Sequence, residues 1–240
     1  MGFPMTDRPI LFSAPMVRAI LEGRKTQTRR IAKPMKGGFV CTGKYVMKGQ
    51  ESDPFAAYES PTETRKPARR DIYGSPGDHL WVKETFFAWG RWEARFSPKK
   101  ARDEWHFIDM TLECGEAYLY ASDGVSDTRT FVKRRSDVAP MFWKRPAIFM
   151  PRHASRLLLE VTGIRVEQLQ DIDENGAMAE GVVCARVGNL FTFAVPGTDI
   201  ERLSGPAAFM RLWASINGME SWDANPWVWV VEFKRVEEIS

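Results

Sequence analysis

The chain has 240 residues, of which 44% are hydrophobic and 27% charged, and its formal net charge is +3. This composition is that of an ordinary globular protein, and the length suffices for one elaborated domain or two small ones. No apolar run approaches the roughly 18 residues of a membrane span, and the N-terminus has no signal-peptide pattern. We therefore expect a cytoplasmic protein without a membrane partner, while the oligomeric state is not indicated.

The reactive side chains that the sequence offers are few in kind. Its three cysteines form no Cys-x-x-Cys motif, and its three histidines have no partner one helical turn away. A phosphate-binding loop, a dinucleotide fingerprint and a serine-hydrolase elbow are also missing from the sequence. We therefore expect no metal and no cofactor. Lysine, threonine and glutamate remain as the plausible reactive set.

The first elements surround a cluster of cations. Ile10–Phe12 is typical of a short buried strand, and Pro15–Glu22 has the apolar spacing of a helix face. Gly23 fits the left-handed residue that ends many helices, and the β-branched residues after Lys25 favour a strand. A helix C-terminus attracts cations, which is one explanation of the Lys and Arg residues that follow Gly23.

The middle of the chain reads as a strand between two insertions. Pro34–Arg70 is rich in Gly and Pro and ends in a basic run, which predicts a long loop or hairpin. His79–Phe86 follows a Gly-Asp turn and alternates like a half-buried strand. Trp89–Arg135 mixes aromatic and basic residues, the latter concentrated in Arg129–Arg135. That composition suits a single-strand nucleic-acid groove, and it equally suits a small β insertion packed on a barrel.

The last part of the chain predicts alternating strands and helices. The capping-box spacing of Asp171 and Glu174 predicts a helix that Asp171 caps and Gly181 ends. Residues 182–205 favour a loop or hairpin. The remaining predicted elements are a strand over 157–167 bent near Gly163, a helix over Pro206–Ile216, and a closing strand over Asn225–Lys234.

Four blocks of this sequence resemble the ASCH-domain family. The first is Pro9–Arg30 with its motif Gly-Arg-Lys-Thr-Gln-Thr-Arg; the others are the strand after the Gly-Asp turn, the capped helix that ends at Glu180, and the closing strand. ASCH domains are PUA-like β-barrels associated with RNA. Some members are N4-acetylcytidine amidohydrolases, others are reported as ribonucleases, and longer chains with this beginning are common in phages and prophages.

The resemblance implies a fold and a domain organisation. We expect an α+β protein whose 240 residues form a single PUA-like domain. Its centre would be a mixed β-barrel flanked by two or three helices. β-Rich insertions are expected at about 34–70, 88–150 and 183–205.

The resemblance also implies an activity, the removal of an acyl group from an N4-acylated cytosine nucleoside or a related modified base. It assigns Lys25 as the base, Thr28 as the nucleophile and Glu180 as the acid. A lysine with a reference pKa of about 10.4 must lose about three units to act as a base, which corresponds to about 4 kcal/mol. Partial burial and the neighbouring arginines favour such a shift, because both disfavour the charged amine.

Further residues are expected to bind or orient the substrate. Glu84 would orient Lys25, unless it is an outward-facing strand carboxylate, and Arg152 would hold a phosphate. Trp81 and Trp229 offer aromatic faces on which a pyrimidine ring stacks. Arg24 and Arg29 complete the expected substrate-binding set.

Strand geometry limits the assignment of Thr28. In a regular strand the side chains of Lys25 and Thr28 point to opposite faces. The assignment therefore requires Lys25 to lie on the turn, or a bulge to separate the two residues. A Thr28 packed into the core of a regular strand would not serve, and Thr26 is the structural alternative.

A second hypothesis is an RNA-binding module without this chemistry, with or without ribonuclease activity. The basic and aromatic insertions motivate it, because Lys and Arg side chains neutralise phosphates and aromatic rings stack on bases. The expected partner is thus a modified nucleoside or RNA. The sequence does not indicate the acyl group or the size of the substrate.

Overall fold

The computed structural model describes residues 7–32, 73–125, 139–187, 190–196 and 203–236. The proposed insertion at 34–70 and the basic run Arg129–Arg135 lie outside these residues. The described residues form four α-helices and eleven strands in an α+β fold that is mostly β. Helices α1–α4 cover Ala14–Leu21, Glu174–Ala179, Gly205–Asn217 and Met219–Asp223, and strands β1–β11 cover Asp7–Leu11, Gln27–Ile31, His79–Lys83, Phe86–Ser97, Arg102–Asp109, Leu119–Tyr120, Met141–Arg145, Leu158–Gln168, Val183–Val187, Leu190–Ala194 and Trp227–Arg235.

The chain divides into two compact units, each assembled from separate segments. The first unit consists of Met1–Arg8, Ala19–Trp81 and Leu157–Ser240, and the second of Pro9–Arg18 and Val82–Arg156. Three of the boundaries fall within β1, α1 and β3, so no linker marks the division. Within the described part of the chain, every helix is too short or too polar to span a bilayer.

The first unit is organised around a five-stranded sheet with the order β1-β3-β8-β11-β2. Central strand β11 is antiparallel to both β8 and β2. Its residues Val228, Val230 and Val231 are fully buried, as expected of a strand covered on both faces. Among the described residues β1 and β2 are the two edges of this sheet, so the expected barrel is not seen. The predicted α+β class is confirmed by the mixture of helices and strands.

The predicted bend in β8 is confirmed as a β-bulge. Gly163 pairs with Glu232, but the next pair joins Val161 to Phe233, so Thr162 has no partner in the register. An extra residue on one strand bends it and increases its twist.

Local signals placed several other elements correctly. Helix α1 is followed by Gly23 at φ 73°, the left-handed conformation that its sequence context predicted. Helix α3 has Pro206 in its first turn, and Gly218 ends it. Residues 182–205 contain the antiparallel hairpin of β9 and β10.

The predicted start of α2 is wrong by two residues. The N-cap is Asp173, whose side chain accepts a hydrogen bond from the Gly176 backbone N–H, and the helix runs over Glu174–Ala179. Asp171 instead ends a preceding 3₁₀ turn over Leu169–Asp171, and its side chain accepts from the backbone N–H of Gln168, the N-cap of that turn. Ile172 between them is extended, so the chain leaves helical geometry once before α2 begins.

The second unit is built on the long strand β4. Its first half pairs with β6 and β7, and from Gly90 onward it pairs with β5. Side chains of the first half pack with those of two following 3₁₀ turns in a core that comprises Phe86, Ala88, Met150 and Ala154. The second half of β4 extends from this core as a two-stranded ribbon with β5.

Candidate functional site

Lys25 lies on the turn between α1 and β2. The backbone N–H groups of Arg24 and Lys25 both donate to the carbonyl of Ala19, at 2.9 and 3.0 Å, and fix the turn after Gly23. Strand β2 begins two residues later at Gln27. The condition that Lys25 precede the regular strand is therefore met.

The ammonium group of Lys25 has three acceptors. Its Nζ donates to the backbone carbonyls of Gln27 at 2.7 Å and Glu180 at 2.8 Å, and to Glu180 Oε2 at 2.8 Å. These acceptors match the three donors of a charged lysine. The two side chains are 0% and 4% exposed, so the pair is screened from water.

Glu180 reaches Lys25 because of the way in which α2 ends. It is the C-cap residue, and its backbone N–H donates to the carbonyl of Gly176. Gly181 follows at φ 97°, and a Cβ built on it would lie only 3.2 Å from Ala19 Cβ and 3.3 Å from Lys25 Cβ. Glycine at this position permits both the left-handed turn and the close approach.

Burial is the largest cause of a lowered pKa at Lys25. The carboxylate of Glu180 acts in the opposite direction and raises the pKa, while the positive charges of Arg30 and Arg29 lower it further. The net effect is a pKa below that of a free lysine. Two of the arginines that the sequence placed beside Lys25 therefore contribute in the expected direction.

Arg29 holds Glu180 from the other side. Its Nη1 lies 3.3 Å from Glu180 Oε1, its Nη2 pairs with Glu167, and its guanidinium lies 5.6 Å from the ring centre of Phe209. With these contacts within the protein, the geometry favours Arg29 as a positioning residue for Glu180 over its expected substrate contact.

Sequence reasoning missed the role of Glu167 in this network. Glu167 also accepts from Arg165 Nε at 3.0 Å, and Arg165 Nη2 donates to Gln27 Oε1 at 3.1 Å. Arg165 and Glu167 are two residues apart on β8, so they share a face of the strand. This pair of charges in an apolar strand was the only local signal.

Thr28 belongs to the regular part of β2. It pairs with Val231 of β11 in an uninterrupted register, and it is 3% exposed. Strand alternation directs its side chain away from the face of Arg29. Thr26 is exposed, and its backbone N–H donates to the carbonyl of Ala179 at 2.9 Å, next to Glu180. Thr28 is therefore packed in a regular strand, so its assignment as the nucleophile is wrong by the strand condition, and Thr26 is the structural alternative.

Three other residues of the expected substrate-binding set belong to the first unit. Arg24 is half-exposed; it donates to Glu22 at 2.8 Å and to the carbonyl of Gly181 at 3.1 Å. Trp81 is half-buried in β3, and Trp229 is 6% exposed in β11. The hydrogen bond of Arg24 to the residue after Glu180 links it to the same turn.

Glu84 and Arg152 belong to the second unit. Glu84 is only 2% exposed, so the alternative of an outward-facing carboxylate is wrong. It accepts from Ser122 Oγ, and from Arg156 Nε at 3.0 Å. Arg152 is exposed in a 3₁₀ turn over Arg152–Ala154.

Within the ranges that the structure describes, no group of three or more His, Cys, Asp or Glu side chains is placed to hold a metal ion. The chain matches no protein-family model, no curated protein and no solved structure. The site of the first unit is therefore interpreted from its own geometry and from the resemblance of its motif.

Proposed function

We propose that this protein is an amidohydrolase that removes the acyl group from an N4-acylated cytosine nucleoside or a related modified base. The observation that carries the proposal is the buried hydrogen bond of 2.8 Å between Lys25 Nζ and Glu180 Oε2. Within the same proposal the first unit is an ASCH-like, PUA-type fold, and the enzyme is cytoplasmic. The proposal is supported by the contact between Lys25 and Glu180, which lie 155 positions apart in the chain.

The pair is suited to hold a movable proton. In a low-dielectric interior an ammonium–carboxylate pair and an amine–carboxylic acid pair differ less in free energy than they do in water, because both ions lose hydration. Transfer of one proton along the hydrogen bond converts the first form into the second. The neutral form contains both a base, the amine of Lys25, and an acid, the carboxyl group of Glu180.

The first half of the proposed reaction forms an acyl-enzyme. Thr26 Oγ attacks the acyl carbonyl carbon while the Lys25 amine takes the hydroxyl proton. The bond between this carbon and N4 then breaks, and Glu180 gives its proton to the departing amine. Cytidine leaves, and the pair is again an ammonium and a carboxylate.

The second half returns the enzyme to its starting state. Water attacks the threonine ester and passes a proton to the Glu180 carboxylate. The ester bond breaks, and the Lys25 ammonium protonates the Thr26 oxygen. The sum is one amide and one water converted into one amine and one carboxylic acid, with no other reactant.

The burial of the pair limits the substrate. Because Lys25 and Glu180 are at most 4% exposed as side chains, the acyl group must enter the interior of the unit to react. We therefore expect a small acyl group such as acetyl to be accepted and bulky acyl groups to be rejected. The nucleophile is assigned to Thr26, which is exposed next to Lys25, because Thr28 is packed in the regular strand, and the experiment has to separate the two threonines.

The test is incubation of the purified protein with N4-acetylcytidine, with cytidine and acetate measured by chromatography. We expect both products in equal amounts. Thr26→Ala should lower the rate at least about 100-fold, as expected for loss of the nucleophile, while Thr28→Ala should stay near the parent rate. The reverse order would move the nucleophile to Thr28, and no cytidine from the folded parent protein would refute the proposal.

A further inference from the structure

The second unit contains an aromatic cavity that the proposed deacylation does not use. Its volume is about 530 Å³, within the roughly 300–1,000 Å³ of small-ligand sites. It lies against the ribbon of β4 and β5 and the segment after β7. Its lining includes Trp92, Trp105, Phe107, Lys144, Arg145 and Phe149.

Three aromatic residues of the ribbon share one of its faces. Trp92 pairs with Phe107 across the strands, and Ala94, two residues after Trp92, pairs with Trp105. Trp92 and Phe107 pack edge to face, with ring centres 5.3 Å apart. Trp105 is 42% exposed, and Phe149 from the segment after β7 is 60% exposed, so large ring surfaces remain open to solvent.

Arg145 fixes the inner wall of this cavity. Its guanidinium lies 4.3 Å from the ring centre of Phe107, 4.8 Å from that of Trp92 and 4.9 Å from that of Phe149. Cation–π contacts of this kind hold the rings in place and keep a positive charge beside them. Arg145 itself is 9% exposed, so the charge belongs to the wall of the cavity and not to a mobile surface chain.

The charge of the cavity is one-sided. Among the described residues, its lining includes the cations Lys144 and Arg145 and no carboxylate. On the ribbon, Arg91 and Arg95 both pair with Glu93, at 2.8 and 3.1 Å, so the charges that alternate with the aromatic residues largely neutralise one another. An anionic ligand with a flat aromatic group complements the two properties of the cavity together.

The aromatic face continues beyond the cavity. Phe96 follows Trp92 and Ala94 at strand spacing, and it is 65% exposed. A row of exposed rings along a ribbon suits a ligand that is itself extended. Successive bases of a single strand stack on such rings without regard to sequence.

We propose that this cavity binds single-stranded nucleic acid, with one unpaired base stacked between Trp105 and Phe149 and its adjoining phosphate beside Lys144. This site is independent of the deacylation proposed for Lys25 and Glu180. Its recognition is by ring stacking and charge, so we expect little preference among the bases.

The test measures fluorescence anisotropy of a labelled 12-nucleotide single strand with the full chain. Trp105→Ala and Phe149→Ala should each weaken binding about tenfold or more, whereas Trp105→Phe, which keeps a ring, should recover most of the affinity. Phe191→Ala removes a phenyl ring that is 69% exposed in β10, and it is the matched control that should leave binding unchanged. Lys144→Ala should reduce the slope of log affinity against log salt by about 0.7, the value for one phosphate of a single strand.

Several outcomes would overturn the proposal. These are no binding of the strand, equal losses for Phe191→Ala and Trp105→Ala, equal affinity for a duplex, or equal affinity for a mononucleotide. A concentration-dependent dimer that Trp105→Ala dissolves would identify a second copy of the chain as the occupant. Release of cytidine from N4-acetylcytidine by Trp105→Ala should match the parent rate. Failure of the nucleic-acid proposal can therefore be distinguished from failure of the deacylation proposal.

Discussion

Each unit contains a carboxylate that is almost fully buried beside a cation. In the first unit Glu180 is 3% exposed and contacts Lys25 and Arg29; in the second, Glu84 is 2% exposed and contacts Arg156. Both arrangements satisfy a charge that would be costly to bury alone. They differ in the chemistry of the cation.

Arg156 is a permanent cation. Burial alone would lower its pKa, but its hydrogen bonds to Asp123 and Glu84 outweigh this effect and raise the pKa. Lys25 shows the opposite balance, because burial outweighs the attraction of Glu180 and its pKa is lowered. Two pairs of similar geometry therefore have different capacities, since only the lysine can release its proton in an accessible pH range.

The largest expected effect comes from exchanging lysine and arginine in these two pairs. Lys25→Arg keeps the positive charge but removes the base, so we expect the rate of cytidine release to fall about 100- to 10,000-fold. Arg156→Lys is the matched exchange in the second unit, and it should leave the rate within about threefold. A Lys25→Arg protein that folds and retains its activity would show that the pair carries no proton in the reaction.

Removing the buried carboxylate should lower the free energy of unfolding more in the first unit than in the second. Glu180→Gln leaves two buried cations without their common acceptor, and we expect the free energy of unfolding to fall by about 3–5 kcal/mol. Glu84→Gln should cost about 1–3 kcal/mol, because Arg156 keeps Asp123 at 2.7 Å and is 28% exposed. Urea unfolding followed by circular dichroism measures both values, and equal losses would contradict the comparison.

The pH dependence of the activity should report the lowered pKa of Lys25. The reaction needs one proton shared by Lys25 and Glu180, because the carboxyl group must protonate the departing amine, so kcat/KM should fall with rising pH through a midpoint below 10.5, the ordinary value for lysine. The folded lysine loses its proton at a lower pH than the unfolded one, so the contribution of Lys25 to stability rises between these two pKa values. A rate profile that falls only above pH 10.5 would show an ordinary, exposed lysine.

The smallest effect is expected at Tyr118, where the pH dependence of stability has the opposite sign. Burial, and then the hydrogen bond to Asp109, raise the pKa of Tyr118 from 10.0 to about 12. The folded state thus keeps this proton when the unfolded state has lost it, so the stability that Tyr118 contributes is present below pH 10 and is lost between about 10 and 12. Between about pH 10 and 12 the free energy of unfolding should fall less steeply with pH for Tyr118→Phe than for the parent protein. Identical slopes would contradict the raised pKa of Tyr118.

Features determined by neighbouring residues were predictable from the sequence. Gly23 ends α1 in the left-handed region, Gly163 marks the bend of β8, and Pro206 opens α3. In each case the residue type itself permits or favours the backbone conformation that is needed. The start of α2 was predicted wrongly because two acidic residues lie close together before it. Asp171 and Asp173 both suit an N-cap, and the 3₁₀ turn that decides between them depends on the preceding strand.

Contacts between distant positions were predictable only in part. The motif resemblance linked Lys25 with Glu180, and the structure joins them. The contact of Arg29 with Glu167, 138 positions away, was missed because no spacing rule connects residues of different strands. For Glu84 the sequence left two orientations open, and the choice depends on Ser122 and Arg156, which lie 38 and 72 positions further along the chain.

The pairing of Trp81 with Leu158 has a consequence for dissecting the molecule. The chain departs for residues 82–156 and returns at adjoining positions of two antiparallel strands, so the whole stretch is a topological insertion into one hairpin. A two-residue turn can close such a hairpin, which permits excision of the aromatic cavity while the Lys25–Glu180 pair is kept. The shortened chain would also need polar replacements at Phe12 and Val17, which remain in it although they belong to the second unit and are buried in the intact protein.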